Sequence, residues 1–172
     1  MTTRPLIVAL GTLSLGSLAL TSTTAEARCY ARDHDDSSDF VEYSGSWESW
    51  NEGDGGSVYL HGTAMANGEY LGGGAVSFFF RGSGVSWYSN GTGIPASSLA
   101  DVDVSIDGSY VDTISLSGFS WSGDSQVVFE ASDLGPGFHV LTLDNVALGS
   151  SWGSSWYGWM LVDHFRVDTF CH

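Results

Sequence analysis

The sequence predicts an all-β protein, a two-sheet antiparallel jelly-roll sandwich. Three observations carry this. Beyond the first 27 residues, no window of a dozen residues shows glycine-free apolar spacing at i, i+3, i+4 and i+7. Apolar residues instead alternate at period two in short runs. The 23 glycines concentrate between those runs, at Gly53 to Gly56, Gly72 to Gly74 and Gly149 to Gly158.

Taken in chain order, the expected strands are Phe40 to Tyr43, Ser57 to Thr63, Ala75 to Arg81 and Gly84 to Ser89, followed by Asp101 to Ile106 and Ser109 to Leu116. Gln126 to Ala131, Phe138 to Asp144 and Trp159 to Val167 complete the set. In the third, Val76, Phe78 and Phe80 alternate with Ser77, Phe79 and Arg81, which separates the side chains onto two faces. Val85 and Trp87 alternate with Ser86 and Tyr88 in the fourth, which places Trp87 in the core. Val102, Val104 and Ile106 do the same in the fifth, and Asp107-Gly108 is a tight-turn dipeptide joining it to the sixth as a hairpin. Short strands at this spacing fit a sandwich with neither a repeat nor an interdomain linker.

These residues also carry a resemblance. The order strand, Gly-x-Gly-Val-x-Trp-Tyr, loop, Val-x-Ile-Asp-Gly resembles galactose-binding-like β-sandwich modules, the carbohydrate-binding modules appended to many glycan-active enzymes. Leu134 to Leu141 and Leu161 to Val167 are similar to the later strands of that group. The likeness spans about Phe40 to Val167 and implies a sugar ligand without naming one. It further implies a structural calcium near the termini, held by Asp163 of the last strand with Glu42 and Asp36 or Asp39, although the usual Glu-x-Glu opening of the group is absent. The competing expectation for Asp163 is a carboxylate bonded to backbone N–H groups.

Residues 1–27 run from Arg4 through apolar Leu6 to Leu20 to Ala25-Glu26-Ala27, the pattern of a secretory signal. The apolar stretch carries Thr12, Ser14 and Ser17 and is shorter than a membrane helix needs. Residues 28–172 are then expected as one secreted domain. Cys29 and Cys171 flank it. A disulfide between them would tie the ends together and so require adjacent chain ends, which the side-by-side first and last strands of a jelly roll deliver; two free or intermolecular thiols are the alternative.

Twenty acidic against five basic residues, all arginine, give a formal charge of −15. Such a surface repels nucleic acid and anionic lipid and favours neutral glycans or divalent cations.

Seven tryptophans are a heavy load for one domain. Trp152, Trp156 and Tyr157 lie in GSSWGSSWYG, Trp47 and Trp50 in GSWESWNEG, and Trp121 in GFSWSG, all read as polar loops. Flat rings flanked by Asn, Asp, Glu and Ser suit the apolar face and hydroxyl edge of a sugar, while rings folded back to plug the sandwich ends are the bland alternative. Catalytic patterns are weak. Gly149 to Gly153 matches G-x-S-x-G without a helix to follow, and His61, His139 and His164 lack a recognisable nucleophile. Asn90-Gly91-Thr92 is a glycosylation sequon. The expectation is a secreted, noncatalytic carbohydrate-binding module. The alternatives are a self-associating structural or adhesive surface protein and, less favoured, a small polysaccharide-cleaving enzyme.

Overall fold

A computed structural model describes residues 30–51, 59–68, 73–151 and 154–169. Their strands are β1 (Ala31–Asp35), β2 (Val41–Gly45), β3 (Glu48–Asn51), β4 (Thr63–Asn67), β5 (Gly74–Arg81), β6 (Gly84–Ser89) and β7 (Asp101–Ile106). They continue as β8 (Ser109–Ser115), β9 (Gln126–Ala131), β10 (Phe138–Ser151), β11 (Ser154–Tyr157), β12 (Met160–Val162) and β13 (His164–Asp168). One sheet has the order β1-β13-β6-β9 and the other β2-β5-β10-β7-β8, with β11 hairpinned onto the far end of β10. A small third sheet, β12-β4-β3, closes one end. The ladders are antiparallel, and the architecture is the expected jelly-roll sandwich.

The period-two pattern becomes alternating burial. Val76, Phe78 and Phe80 of β5, Val102 and Val104 of β7, and Leu141 and Leu143 of β10 are buried. They meet Val85 and Trp87 of β6, Phe129 of β9, and Phe165 and Val167 of β13 in one core between the sheets. Phe78 stacks on Phe165 across that gap at 4.4 Å. Truncating either ring would cost about 3–5 kcal/mol, the usual figure for a buried phenylalanine. Trp87 is fully buried, as its alternation with Ser86 and Tyr88 requires.

The β7–β8 hairpin turns at Asp107 and Gly108 with φ of 52° and 75°, the left-handed pair that matches strand twist. Asp107 secures the turn to β10. Its carboxylate accepts from Val140 N–H at 2.9 Å and lies 2.8 Å from His139 Nδ1, while His139 Nε2 lies 2.8 Å from the Gly135 carbonyl. His139 is thus a locally bonded strand-start residue.

Several expectations change. Ser57 to Thr63 is not a strand where it is described: Leu60–Gly62 form a 3-10 turn, with His61 at φ 56°, and β4 begins at Thr63. The final strand breaks at Asp163, because β12 pairs with β4 in the third sheet whereas β13 pairs with β1 and β6. The GSSWGSSWYG stretch is largely the β10–β11 hairpin rather than a loop, with Gly149 opposite Trp156. Its G-x-S-x-G match therefore falls on the end of a strand, not a strand-to-helix elbow. Strands β1, β3, β4 and β11 were not expected as such.

First and last strands do lie side by side. Ala31 pairs with Asp168, and Thr169 N–H donates to the Tyr30 carbonyl at 2.8 Å. Cys29, Cys171 and the signal-like residues 1–27 lie outside the described residues.

Candidate functional site

The end of the sandwich closed by β3, β4 and β12 gathers aromatic rings around bare backbone. Trp50 on β3 packs against Trp159, which precedes β12, at 5.3 Å between centroids. Trp159 lies over Gly68 so closely that a Cβ there would sit 2.5 Å from its ring. Tyr157, ending β11, lies over Gly73 in the same way, at 2.3 Å. No residue but glycine fits beneath either ring. Trp47 packs on Tyr43 at 4.7 Å and donates Nε1–H to the Ser44 carbonyl at 2.9 Å. Trp47, Trp50, Tyr157 and Trp159 are each partly buried.

A buried amide network supports these rings. Asn145 of β10 donates through Nδ2 to Asn67 Oδ1 at 2.8 Å and to the Gly158 carbonyl at 2.9 Å. Asn67 in turn donates to the Ser46 carbonyl at 2.6 Å. The segments carrying Trp47, Tyr157 and Trp159 are thus bonded to one buried hub, which resists rearrangement because breaking any link strands a polar group away from water. The Trp159 backbone also exchanges hydrogen bonds with Ser98 and Ala100. Leu99 between them adjoins Gly91, where an added Cβ would meet Trp121 at 2.8 Å.

Of the expected platform residues, the structure brings Trp47, Trp50 and Tyr157 into this end, with Trp121 linked through Leu99. Trp156 is on β11, and Trp152 lies outside the described residues. Trp159 and Tyr43 were missed as site residues. The glycines at 68 and 72–74 were the readable signal for them, since an aromatic-rich chain puts rings where side chains are absent. Among the tryptophans whose side chains are described, none is fully exposed.

The acidic residues collect at the other end of β4. Asp163 is fully buried at the corner between β12 and β13. Its Oδ1 accepts from Leu60 N–H at 2.7 Å, and its Oδ2 lies 2.9 Å from His164 Nδ1. Its backbone donates to Tyr88 O and accepts from Asp36 N–H. Asp36 is buried beside it, accepting from Thr63 Oγ1 at 3.1 Å. Burial, then the neighbouring Asp35 and Asp163 charges, push the Asp36 carboxyl up to about 7. Burial likewise pushes the Tyr43 phenol up; its hydroxyl donates to the Asp36 carbonyl at 3.0 Å.

Of the calcium ligands implied by the resemblance, Asp36 and Asp163 are buried side by side, whereas Glu42 lies elsewhere on β2. Asp39 and Glu42 are exposed, both Asp163 oxygens already have partners, and no group of three His, Cys, Asp or Glu among the described residues is placed to hold a metal. Asn90 is also placed against expectation. It is fully buried, donates to the Gly123 carbonyl at 2.7 Å and accepts from Thr92 N–H at 2.9 Å, so the fold has no room for a glycan on it.

A family 35 carbohydrate-binding module from Clostridium thermocellum superposes with a TM-score of 0.50 at 16% identity, over 80% of this chain and 96% of the module. The protein has the fold of a carbohydrate-binding module. A family two carbohydrate esterase from Cellvibrio japonicus gives 0.52 at 14% identity over 84% of this chain, which spans only 35% of the esterase. No protein-family model matches the sequence. No curated protein matches it in sequence either. No helix among the described residues is long and apolar enough to cross a membrane.

Proposed function

We propose that this protein binds a neutral glycan noncovalently at the aromatic end of its sandwich and acts outside the cell. The observation that carries the reading is the seating of Trp159 and Tyr157 directly on Gly68 and Gly73. Rings held this way lose little freedom when a sugar stacks on them, so more of the contact energy appears as affinity. The negative surface charge is consistent with a neutral ligand, and the fold shared with a carbohydrate-binding module supports the class. Pull-down on a panel of insoluble polysaccharides, with a Trp50→Ala, Trp159→Ala double variant, tests it. Binding that the double variant loses while remaining folded is the expected result; no retention on any polysaccharide sinks the proposal.

One observation favours self-association as a second reading. Strand β8 is a sheet edge with Tyr110 and Val111 exposed on it, a surface suited to pairing with another copy. Light scattering across a concentration series decides it.

A further inference from the structure

Among the described residues, the most exposed aromatic ring, that of Phe138, is not at the tryptophan-rich end. Phe138 is 83% exposed, Phe40 51% and Phe79 37%, and all three line one cavity of about 390 Å³ on the open side of the sandwich. The topology explains the opening. Strand β2 starts at Val41, opposite Phe78, and the Phe40 carbonyl before it still accepts from Phe79 N–H at 2.9 Å, so β5 runs on through Phe80 and Arg81 without that neighbour. On the facing sheet, β1 is the edge strand, and its residues Arg32 and His34 stand opposite inward-facing Val167 and Phe165. Arg32 and His34 therefore point into the gap.

The charge of the cavity is the reverse of the chain's. Arg32 and Arg81 are two of only five basic residues in a chain of formal charge −15, yet both line this cavity, and no Asp or Glu does. Among the described residues every ion pair uses a histidine, so neither guanidinium has a carboxylate partner. The Arg81 guanidinium sits 5.7 Å from the Phe138 ring centroid, an attraction that holds an exposed phenyl ring at the rim. His34 packs on Phe40 and Phe78 at 5.6 and 5.3 Å. Two guanidinia with no carboxylate partner supply only donors and positive charge, which a neutral sugar leaves uncompensated. An apolar body with one anionic head matches well: the rings take the body, and planar donors take a carboxylate in charge-assisted hydrogen bonds.

We propose that this cavity is a second binding site, distinct from the aromatic end, for a small aromatic carboxylate. The ring enters between Phe40, Phe79 and Phe138, and the carboxylate meets Arg32 and Arg81. The volume is in the range of small-molecule sites.

The test uses the full chain and two probes, 8-anilinonaphthalene-1-sulfonate read by fluorescence and 2-naphthoate as its competitor. Saturable dye binding is expected, displaced by 2-naphthoate at least ten-fold better than by uncharged 2-naphthol. Arg32→Gln and Arg81→Gln should each weaken naphthoate about ten-fold, with urea midpoints unchanged and polysaccharide retention intact. Retention unchanged in these variants separates failure here from failure at the aromatic end. Absence of saturable binding, equal displacement by naphthol, or arginine variants with wild-type affinity would overturn the proposal. So would a dimer that Phe138→Ser dissociates, which would give the cavity to a second copy. A chain ending at Thr169 that binds the dye when the full chain does not would assign it to residues 170–172, and equally overturn it.

Discussion

Replacing Asp36 by Asn should stabilise the protein above neutral pH, although the residue is buried and hydrogen-bonded. Asp36 sits against Asp35 and Asp163, and its carboxyl is raised from 3.8 to about 7, first by burial and then by those charges. The folded state thus holds a proton that the unfolded chain releases near 4. The associated stability is complete below the unfolded value and is lost as pH rises through about 7. At roughly 1.4 kcal/mol per tenfold change in proton affinity, the shift is worth about 4 kcal/mol at most, and solvent screening of a cluster close to the surface brings it to about 2. Asn keeps an oxygen for Thr63 Oγ1, which donates to Asp36 Oδ1 at 3.1 Å, and turns an amide donor toward Asp35. His34 works in the opposite direction, being lowered by burial and by Arg32, so its contribution is lost as pH falls. The decisive readout is therefore the difference between wild type and D36N in urea unfolding at pH 5, 7 and 8.5, in EDTA. The variant should match or trail wild type at pH 5 and exceed it by about 2 kcal/mol at pH 8.5. A D36N protein less stable than wild type at pH 8.5 would refute the reasoning. Calcium in place of EDTA should leave the wild-type midpoint unmoved; a rise of several kcal/mol would mean a cation occupies the cluster after all.

Gly73→Ala places a methyl 2.3 Å from the Tyr157 ring, so polysaccharide retention should fall while the urea midpoint drops by only about 1–3 kcal/mol, as overpacking usually costs. Retention equal to wild type would remove Tyr157 from the site. Asp107→Asn should lower the His139 pKa, now raised chiefly by its bond to Asp107, and NMR titration of the ring will read it directly. Because that pKa is raised, the stability it brings is present below about 6.5 and fades as pH climbs through the folded value, so D107N should cost more at pH 5 than at pH 8. Finally, since β1 and β13 are paired up to Tyr30 and Thr169, we propose that Cys29 and Cys171 form a disulfide. The intact mass should be two hydrogens below that of the reduced chain, and reduction should cost up to about 4–5 kcal/mol in the chain-entropy model. Two thiols titratable in the folded protein would exclude the bond.

The sandwich was legible where one face of a strand is buried and the other is not. Gly84 to Ser89, Asp101 to Ile106 and Gln126 to Ala131 were read with their observed ends, and Asp107-Gly108 with its turn. Strand β1, ARDHD, was invisible because an edge strand of polar residues has no apolar period, and β4, TAMAN, because alanine gives a weak one. The tryptophans were read from their polar neighbours in sequence, which say nothing of the glycines brought beneath them from elsewhere. The sheet switch that buries both flanks of Asp163 is a tertiary fact with no local signature.

Strand β10 runs from the His139 turn, through Leu141 and Leu143 in the core and Asn145 in the amide hub, into the hairpin that ends at Tyr157. One continuous ladder therefore sets both the packing of the interior and the place of the ring over Gly73. The ring cannot shift along this ladder by itself, because a slip of one residue would turn Leu141 and Leu143 outward. The amides of β10 through Val146 should exchange with solvent only on global opening, making the aromatic end part of the slowest-opening unit of the molecule rather than a pliable rim.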